Sequence, residues 1–239
     1  MAPALVLLHG FTNTGHCWEP VIGALGERYK ALAPDIRGHG RASDRVPVTL
    51  EAVIADVAAI APPAFTLAGY SMGGRIAVHV ALALPARVQR LVLIGASPGI
   101  ADRAQREVRR GDDERLAGEL ERSTIEQFAR RWATTPVLAD QPASVKAAAH
   151  ADRLRSAPQG LARALRGLGT GALPSAWERL GELAMPVRLV VGERDQRFCT
   201  IAREMAAAIP DARVVVVPGA GHAVHLEAPD RVAAAIAGE

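Results

Sequence analysis

Three features of this 239-residue chain predict an α/β domain built on a mostly parallel sheet. Short apolar runs recur and stop abruptly at glycine or a polar turn, the pattern of strands buried on both faces. Segments of helical spacing separate most of these runs, and parallel neighbours require such crossovers. One long block, residues 100–183, holds no strand-like run and interrupts an otherwise regular alternation.

Taken in order, residues 4–8 form the first strand, ending at His9-Gly10. Residues 18–25 read as a helix and residues 30–34 as a second strand, expected at an exposed edge that a partner chain could shield. The stretch from Pro34 to Ser43 is glycine-rich and without period. Thr49 is placed to cap a helix that carries Glu51 in its first turn and runs to about residue 60, where Pro62-Pro63 ends it. Residues 65–68 are the third strand, a helix follows Ser71 to residue 84, and residues 90–94 are the fourth strand. The Arg/Glu/Ala-rich block after it is broken at Pro136, Pro142, Pro158 and Pro174. Strands resume at 187–191 and 212–217, with helices over 201–209 and 229–237. The expected architecture is therefore six strands, with helices on both faces. Residues 1–99 and 184–239 form the core, and 100–183 form a helical cap inserted over the carboxyl ends of the strands, where such sheets bind ligands.

Composition excludes several classes. Aromatic residues make up only 4% of the chain, so the core is mostly Ala, Val, Leu and Ile. A net charge of +3 is small for this length, and only Lys30 and Lys146 among the 28 basic residues are lysines. The arginines are spread along the whole chain, with no basic tail or stripe for nucleic acid. Cys17 and Cys199 cannot build a disulfide framework, and no metal-spaced Cys/His cluster accompanies them. The first residues lack a basic n-region, and no apolar span reaches 18 residues. A soluble cytoplasmic protein is expected, a monomer or homodimer that engages neither membrane nor nucleic acid and needs no metal or organic cofactor.

The chemistry centres on Gly69-Tyr70-Ser71-Met72-Gly73. An apolar run precedes it and an Ala/Val/Leu helix pattern follows, so Ser71 sits at the apex of a strand–turn–helix. The pattern alone is expected about 0.06 times by chance in such a glycine-rich chain, so the flanking elements carry the reading. A serine hydroxyl needs a histidine to accept its proton, and the imidazole needs a carboxylate to hold its tautomer. On this kind of scaffold the acid and then the histidine follow the serine in sequence. Asp195 follows the strand at 187–191, and His222 follows the strand at 212–217 through Pro218-Gly219-Ala220-Gly221. Ser71, Asp195 and His222 thus arrive at one sheet edge as the candidate triad. His79 lies two turns along the Ser71 helix, His150 lies in the inserted block, and His225 reads as a structural residue. The amides of Met72, at the helix start, and Phe11, after the first strand, are the candidate oxyanion hole.

Arg75 narrows the chemistry. A cation in the first turn of a helix opposes the macrodipole, and four residues after Ser71 it shares the serine's face. Either it pairs with an acid elsewhere in the chain or it anchors an anionic substrate. A hydrolase of neutral esters has no use for it.

With these residues in place, the chain resembles the α/β-hydrolase superfamily from end to end. Within it, the chain is most similar to the menaquinone-pathway lyases that form 2-succinyl-6-hydroxy-2,4-cyclohexadiene-1-carboxylate. The similarity rests on Leu8-His9-Gly10-Phe11 with Trp18, Asp35 with Arg37-Gly38-His39-Gly40, and Gly69 to Arg75. It continues in Ala96-Ser97-Pro98-Gly99, Leu168-Gly169-Thr170-Gly171, Pro174 to Trp177, and Gly219-Ala220-Gly221-His222 with His225-Leu226-Glu227. The resemblance implies that the activated serine removes a proton from a small-molecule carboxylate and triggers elimination of pyruvate. It further implies that arginines and an indole grip the carboxylates, which by motif are Arg75, Arg155 and Trp132, with Tyr70 and His9 beside them. A serine hydrolase acting on an ester, thioester or carbon–carbon bond of an anionic molecule is the alternative. Two departures stand out. Glu119 occupies a place where related sequences tend to carry arginine, so Arg115 or Arg122 substitutes, the register differs by a turn, or the substrate differs. The antiparallel strands that usually precede the first strand are also expected to be missing.

Overall fold

The computed structural model describes residues 2–138 and 140–239. Strand β1 (Ala4–Leu8) leads through a 3-10 turn into α1 (Glu19–Leu25) and the three-residue β2 (Lys30–Leu32). Helix α2 (Leu50–Ile60), β3 (Phe65–Tyr70), α3 (Met72–Ala83) and β4 (Val88–Ile94) follow. Among the described residues, four α-helices then intervene before the next strand: α4 (Arg103–Glu121), α5 (Ile125–Trp132), α6 (Ala143–Arg153) and α7 (Pro158–Leu168). The chain closes with β5 (Val187–Gly192), α8 (Gln196–Ala208), β6 (Ala212–Val217), α9 (Val224–Glu227) and α10 (Pro229–Ala237).

The six strands form one sheet in the order β2-β1-β3-β4-β5-β6, and every neighbouring pair is parallel. The order reverses between β1 and β3, the position at which open parallel sheets leave a crevice at their carboxyl ends. β2 lies at one edge, as the sequence suggests, but spans only Lys30–Leu32.

Period-two alternation sends successive side chains to opposite faces, so a strand covered on both sides reads as a continuous apolar run. In β1, Leu5 and Leu7 pack with Trp18, Val21 and Ile236 on one face. Val6 and Leu8 pack with Ile76, Val80 and Leu168 on the other. The block between β4 and β5 carries a small core of its own, in which Ala117, Leu120 and Phe128 meet Leu161, Ala162 and Leu165. Capping follows local chemistry: Thr49 accepts from Ala52 N at 3.2 Å to start α2, and Thr124 and Gln127 form a reciprocal capping box on α5. Two helices differ from the sequence reading. α8 begins at Gln196, five residues early, because Asp195 caps it. The short α9, which contains His225, has no separate counterpart in the sequence pattern.

Several histidines are buried in neutral form. Desolvation pulls both His39 and His225 down from about 6.5 to about 3. The unfolded chain therefore binds protons that the folded chain refuses, and stability falls as pH drops from about 6.5 toward 3. Each ring is expected to cost about 2 kcal/mol between pH 7 and pH 5. Urea unfolding at the two pH values checks this, and His225→Phe should remove about 2 kcal/mol of that loss.

Candidate active site

Ser71 occupies the turn between β3 and α3 with φ 51° and ψ −110°, a left-handed conformation that side chains rarely adopt. Its amide donates to Ile94 O at 2.9 Å, which ties the strained residue to β4. Glycine makes the turn feasible: a Cβ on Gly73 would lie 2.3 Å from Leu8 O, and one on Gly69 would lie 2.4 Å from Gly73 O. Helix and sheet approach here more closely than any side chain permits. The turn thus projects the hydroxyl over the carboxyl ends of the strands.

His222 meets it there. His222 Nε2 lies 3.2 Å from Ser71 Oγ, and His222 Nδ1 lies 2.6 Å from Asp195 Oδ2. Asp195 uses its other oxygen to accept from Phe198 N at 3.3 Å, so the helix it caps also orients it. With Nδ1–H donated to the carboxylate, Nε2 is left with its lone pair toward the serine. The arrangement can therefore take a proton from the hydroxyl and hold the resulting imidazolium against a carboxylate.

The cavity above Ser71 measures about 340 Å³ and is lined by Phe11, Met72, Arg75, Arg109, Trp132 and Arg197, among others. A smaller recess on the other side of the Ser71–His222 pair is lined by Tyr70, Gln141 and Arg153. Phe11 and Trp132 border both spaces, their rings 5.3 Å apart in an edge-to-face contact. Cationic side chains therefore surround the hydroxyl from several directions.

Of these, Arg109 is paired and Arg75 is not. Arg75 is buried, and among the described residues it has no ion pair and its Nε has no hydrogen-bond partner. Desolvation and the neighbouring Arg109 and Arg197 lower its pKa to about 10, while Asp113 opposes them. It still carries its charge at neutral pH. Asp113 itself is committed, accepting from Arg109 Nε at 2.7 Å and from Gly171 N at 3.0 Å. Clustered guanidiniums in a desolvated pocket store an electrostatic cost that an anionic ligand would offset. The alternative for Arg75, a salt bridge to an acid of the chain, does not occur among the described residues.

Residues of the block between β4 and β5 line the same space. Thr170 and Trp177 line the cavity, and Trp177 Nε1 donates to Gly99 O at 3.1 Å. Gly171 lies against the backbone of Arg110, where a Cβ would come within 2.3 Å of its nitrogen.

Three expectations need correction. Arg155 does not reach the cavity: half exposed, it lies 3.9 Å from Asp152 Oδ1 and lines an outer groove with His16 and Glu19. Arg153, the last residue of α6, takes the inward position instead, whereas Arg155 lies in the turn beyond the end of the helix. Asp152 anchors that end of α6 to Thr14 N at 2.9 Å and Asn13 Nδ2 at 3.2 Å, while Arg153 Nε donates to Thr12 Oγ1 at 3.3 Å. His9 is fully buried below the site and does not line it. Its Nε2 accepts from Ile36 N at 2.9 Å, so Nδ1 carries the proton toward Gly10 O, and burial lowers its pKa. It organises the loop before Phe11. Glu119 is exposed and lies 3.8 Å from Arg131, so it repels nothing in the cavity. Arg115 and Arg122 do not enter either; Arg115 pairs with Asp112, and Arg109 supplies the charge from α4.

Arg109, Arg153 and Arg197 are absent from the sequence reading. Arg197 stood two residues after Asp195 and was discoverable from that spacing. Nothing distinguished Arg109 from its arginine neighbours along α4. We expect Arg153→Ala to lower kcat/KM at least tenfold and Arg155→Ala to leave it within twofold, as steady-state kinetics on the two variants will check.

A serine on a tight strand–helix turn, with its acid and histidine at the ends of later parallel strands, defines a class. The chain belongs to the alpha/beta hydrolase family, whose model matches residues 5–235. Within it, the chain is similar to 2-succinyl-6-hydroxy-2,4-cyclohexadiene-1-carboxylate synthases. A Serratia proteamaculans protein of that name is 32% identical over 237 residues, 97% of this chain and 91% of its own length. A Bacillus subtilis protein given the name provisionally is 35% identical over 238 residues, 95% of this chain and 86% of its own. The structure of MenH from S. aureus superposes with a TM-score of 0.92 at 31% identity, covering 99% of this chain and 92% of that one.

Proposed function

We propose that the protein is a lyase of menaquinone biosynthesis that eliminates pyruvate from the isochorismate-derived succinyl adduct, giving 2-succinyl-6-hydroxy-2,4-cyclohexadiene-1-carboxylate. The observation that carries this reading is the set of arginines around Ser71. Arg75, Arg109 and Arg197 line one side and Arg153 the other. Among them only Arg109 has a carboxylate partner among the described residues. That charge pattern suits a substrate with several carboxylates and gives a neutral ester nothing to bind.

In this reading His222 draws the proton from Ser71, and the serine oxygen removes a carbon-bound proton from the substrate. Asp195 stabilises the imidazolium that forms. The amides of Phe11 and Met72 face the oxygen on which negative charge develops. Trp132 and Tyr70 wall the ring, and residues 100–183 act as a cap that keeps water from the intermediate. The free thiols of Cys17 and Cys199 agree with a cytoplasmic setting. The relatives' shared name and the near-complete overlap of the chains support the same assignment.

The test is pyruvate release from the succinyl adduct, followed with a coupled dehydrogenase. Stoichiometric pyruvate with negligible turnover of short acyl nitrophenyl esters is expected. Rapid ester turnover without pyruvate would overturn the assignment in favour of a serine hydrolase of anionic esters.

A further inference from the structure

The Asp195 and His222 loops leave neighbouring strands, and their backbones are tied together for part of their length. Glu193 N donates to Val217 O and Arg194 N to Ala220 O, each at 3.0 Å. That ladder stops one residue short of Gly221, which immediately precedes His222. Gly221 N donates instead to a side chain, Glu227 Oε2, at 2.8 Å. The same oxygen accepts from Arg194 Nη2 at 2.8 Å, and Arg194 is the residue immediately before Asp195. One carboxylate oxygen of α9 therefore joins the neighbour of the histidine to the neighbour of the acid. Arg194 Nη1 also donates to Asp140 O at 3.1 Å, linking the pair to the block between β4 and β5.

Glu227 is an expensive choice for a merely structural contact. Its side chain is 3% exposed, and its second oxygen is buried without a hydrogen-bond partner among the described residues. Burying a carboxylate that way costs stability unless its bonds do something an apolar residue cannot. What they hold is a glycine, the residue with the greatest backbone freedom, directly beside the imidazole. That glycine immediately precedes the histidine whose Nδ1 lies 2.6 Å from Asp195 Oδ2.

We propose that Glu227 is a positioning residue, which holds the His222 loop against the Asp195 loop through Gly221 N and Arg194. This rests on the reading of Ser71, His222 and Asp195 as the reacting unit. Glutamine keeps an acceptor oxygen toward Gly221, whereas alanine removes it, so the two substitutions separate positioning from charge.

The experiment compares the wild type with Glu227→Ala, Glu227→Gln and Arg194→Ala by two readouts. One is kcat and KM for pyruvate release. The other is the downfield proton resonance of His222 Nδ1–H in the resting enzyme, assigned by its loss in His222→Gln. Glu227→Ala is expected to lower kcat about 30-fold with KM within about twofold, and to broaden or abolish the resonance. Glu227→Gln should stay within about threefold of wild type and keep the resonance; Arg194→Ala should lose about fivefold. Wild-type kcat and an intact resonance in Glu227→Ala would overturn the proposal, as would equal losses in the alanine and glutamine variants. If Glu227→Ala does not fold, Arg194→Ala carries the test, since its arginine is 43% exposed, and unchanged kcat and resonance there would overturn it. Failure of the underlying lyase reading looks different: the wild type would release no pyruvate, while the resonance would still report on Glu227.

Discussion

Ser71→Ala is expected to lower kcat for pyruvate release by about four orders of magnitude, leaving KM within a few-fold of wild type. Ser71 Oγ is the atom that His222 Nε2 faces at 3.2 Å, so alanine leaves the imidazole with no hydroxyl to activate. The arginines that line the two sides of the site remain, and with them the binding of the anionic ground state. Coupled-assay kinetics measure both constants. A residual rate within tenfold of wild type would mean that the proton is taken by another group. A stability measurement on the same position adds a second signature. Alanine keeps the left-handed strain of φ 51°, whereas Ser71→Gly relieves about 1–2 kcal/mol of it. The glycine variant should therefore be inactive and melt higher than wild type.

Arg75→Ala is expected to lower kcat/KM by about 10²- to 10³-fold, the second largest effect. The guanidinium lies on the serine's side of α3, buried and without an ion pair among the described residues. Its pKa, lowered to about 10 by desolvation and by Arg109 and Arg197, leaves it charged and in want of an anion at neutral pH. In the free enzyme that charge is a burden. Arg75→Met, which keeps the volume and removes the charge, should therefore raise the melting temperature of the unliganded protein while losing activity like the alanine variant. Unchanged kcat/KM in Arg75→Ala would refute the anchoring role, and an unchanged melting temperature in Arg75→Met would refute the stored cost. These two positions flank one turn, so their effects on the reaction are expected to be non-additive in the double variant.

The core elements were readable because each depends on chemistry within a few residues. β1 and β3 read as strands because burial on both faces demands unbroken apolar runs. Thr49 marked a helix start because its hydroxyl satisfies an amide three residues on. The sequence pattern starts α8 late because its first turn, Gln196-Arg197-Phe198, has no apolar period of its own; the Asp195 cap starts it. Glu227 looked like an ordinary motif residue, since its two partners lie 6 and 33 positions away.

The sequence by itself determined that Ser71 sits on a strand–turn–helix and that Asp195 and His222 follow the ends of later strands. Glycine spacing and strand ends follow from local sterics and from the rule that parallel strands end on one edge. Only the tertiary structure decided which of the many arginines enter the cavity. Arg153 reaches the recess beside Ser71 and Arg155 does not, because α6 ends at Arg153 and the turn after it leaves Arg155 in the outer groove. Arg109 supplies the charge that Glu119 cannot, because α4 packs on α7 with that face toward Gly169 and Thr170. Which face a helix presents is set by the packing of the whole block between β4 and β5, and a run of similar charges carries no record of that choice.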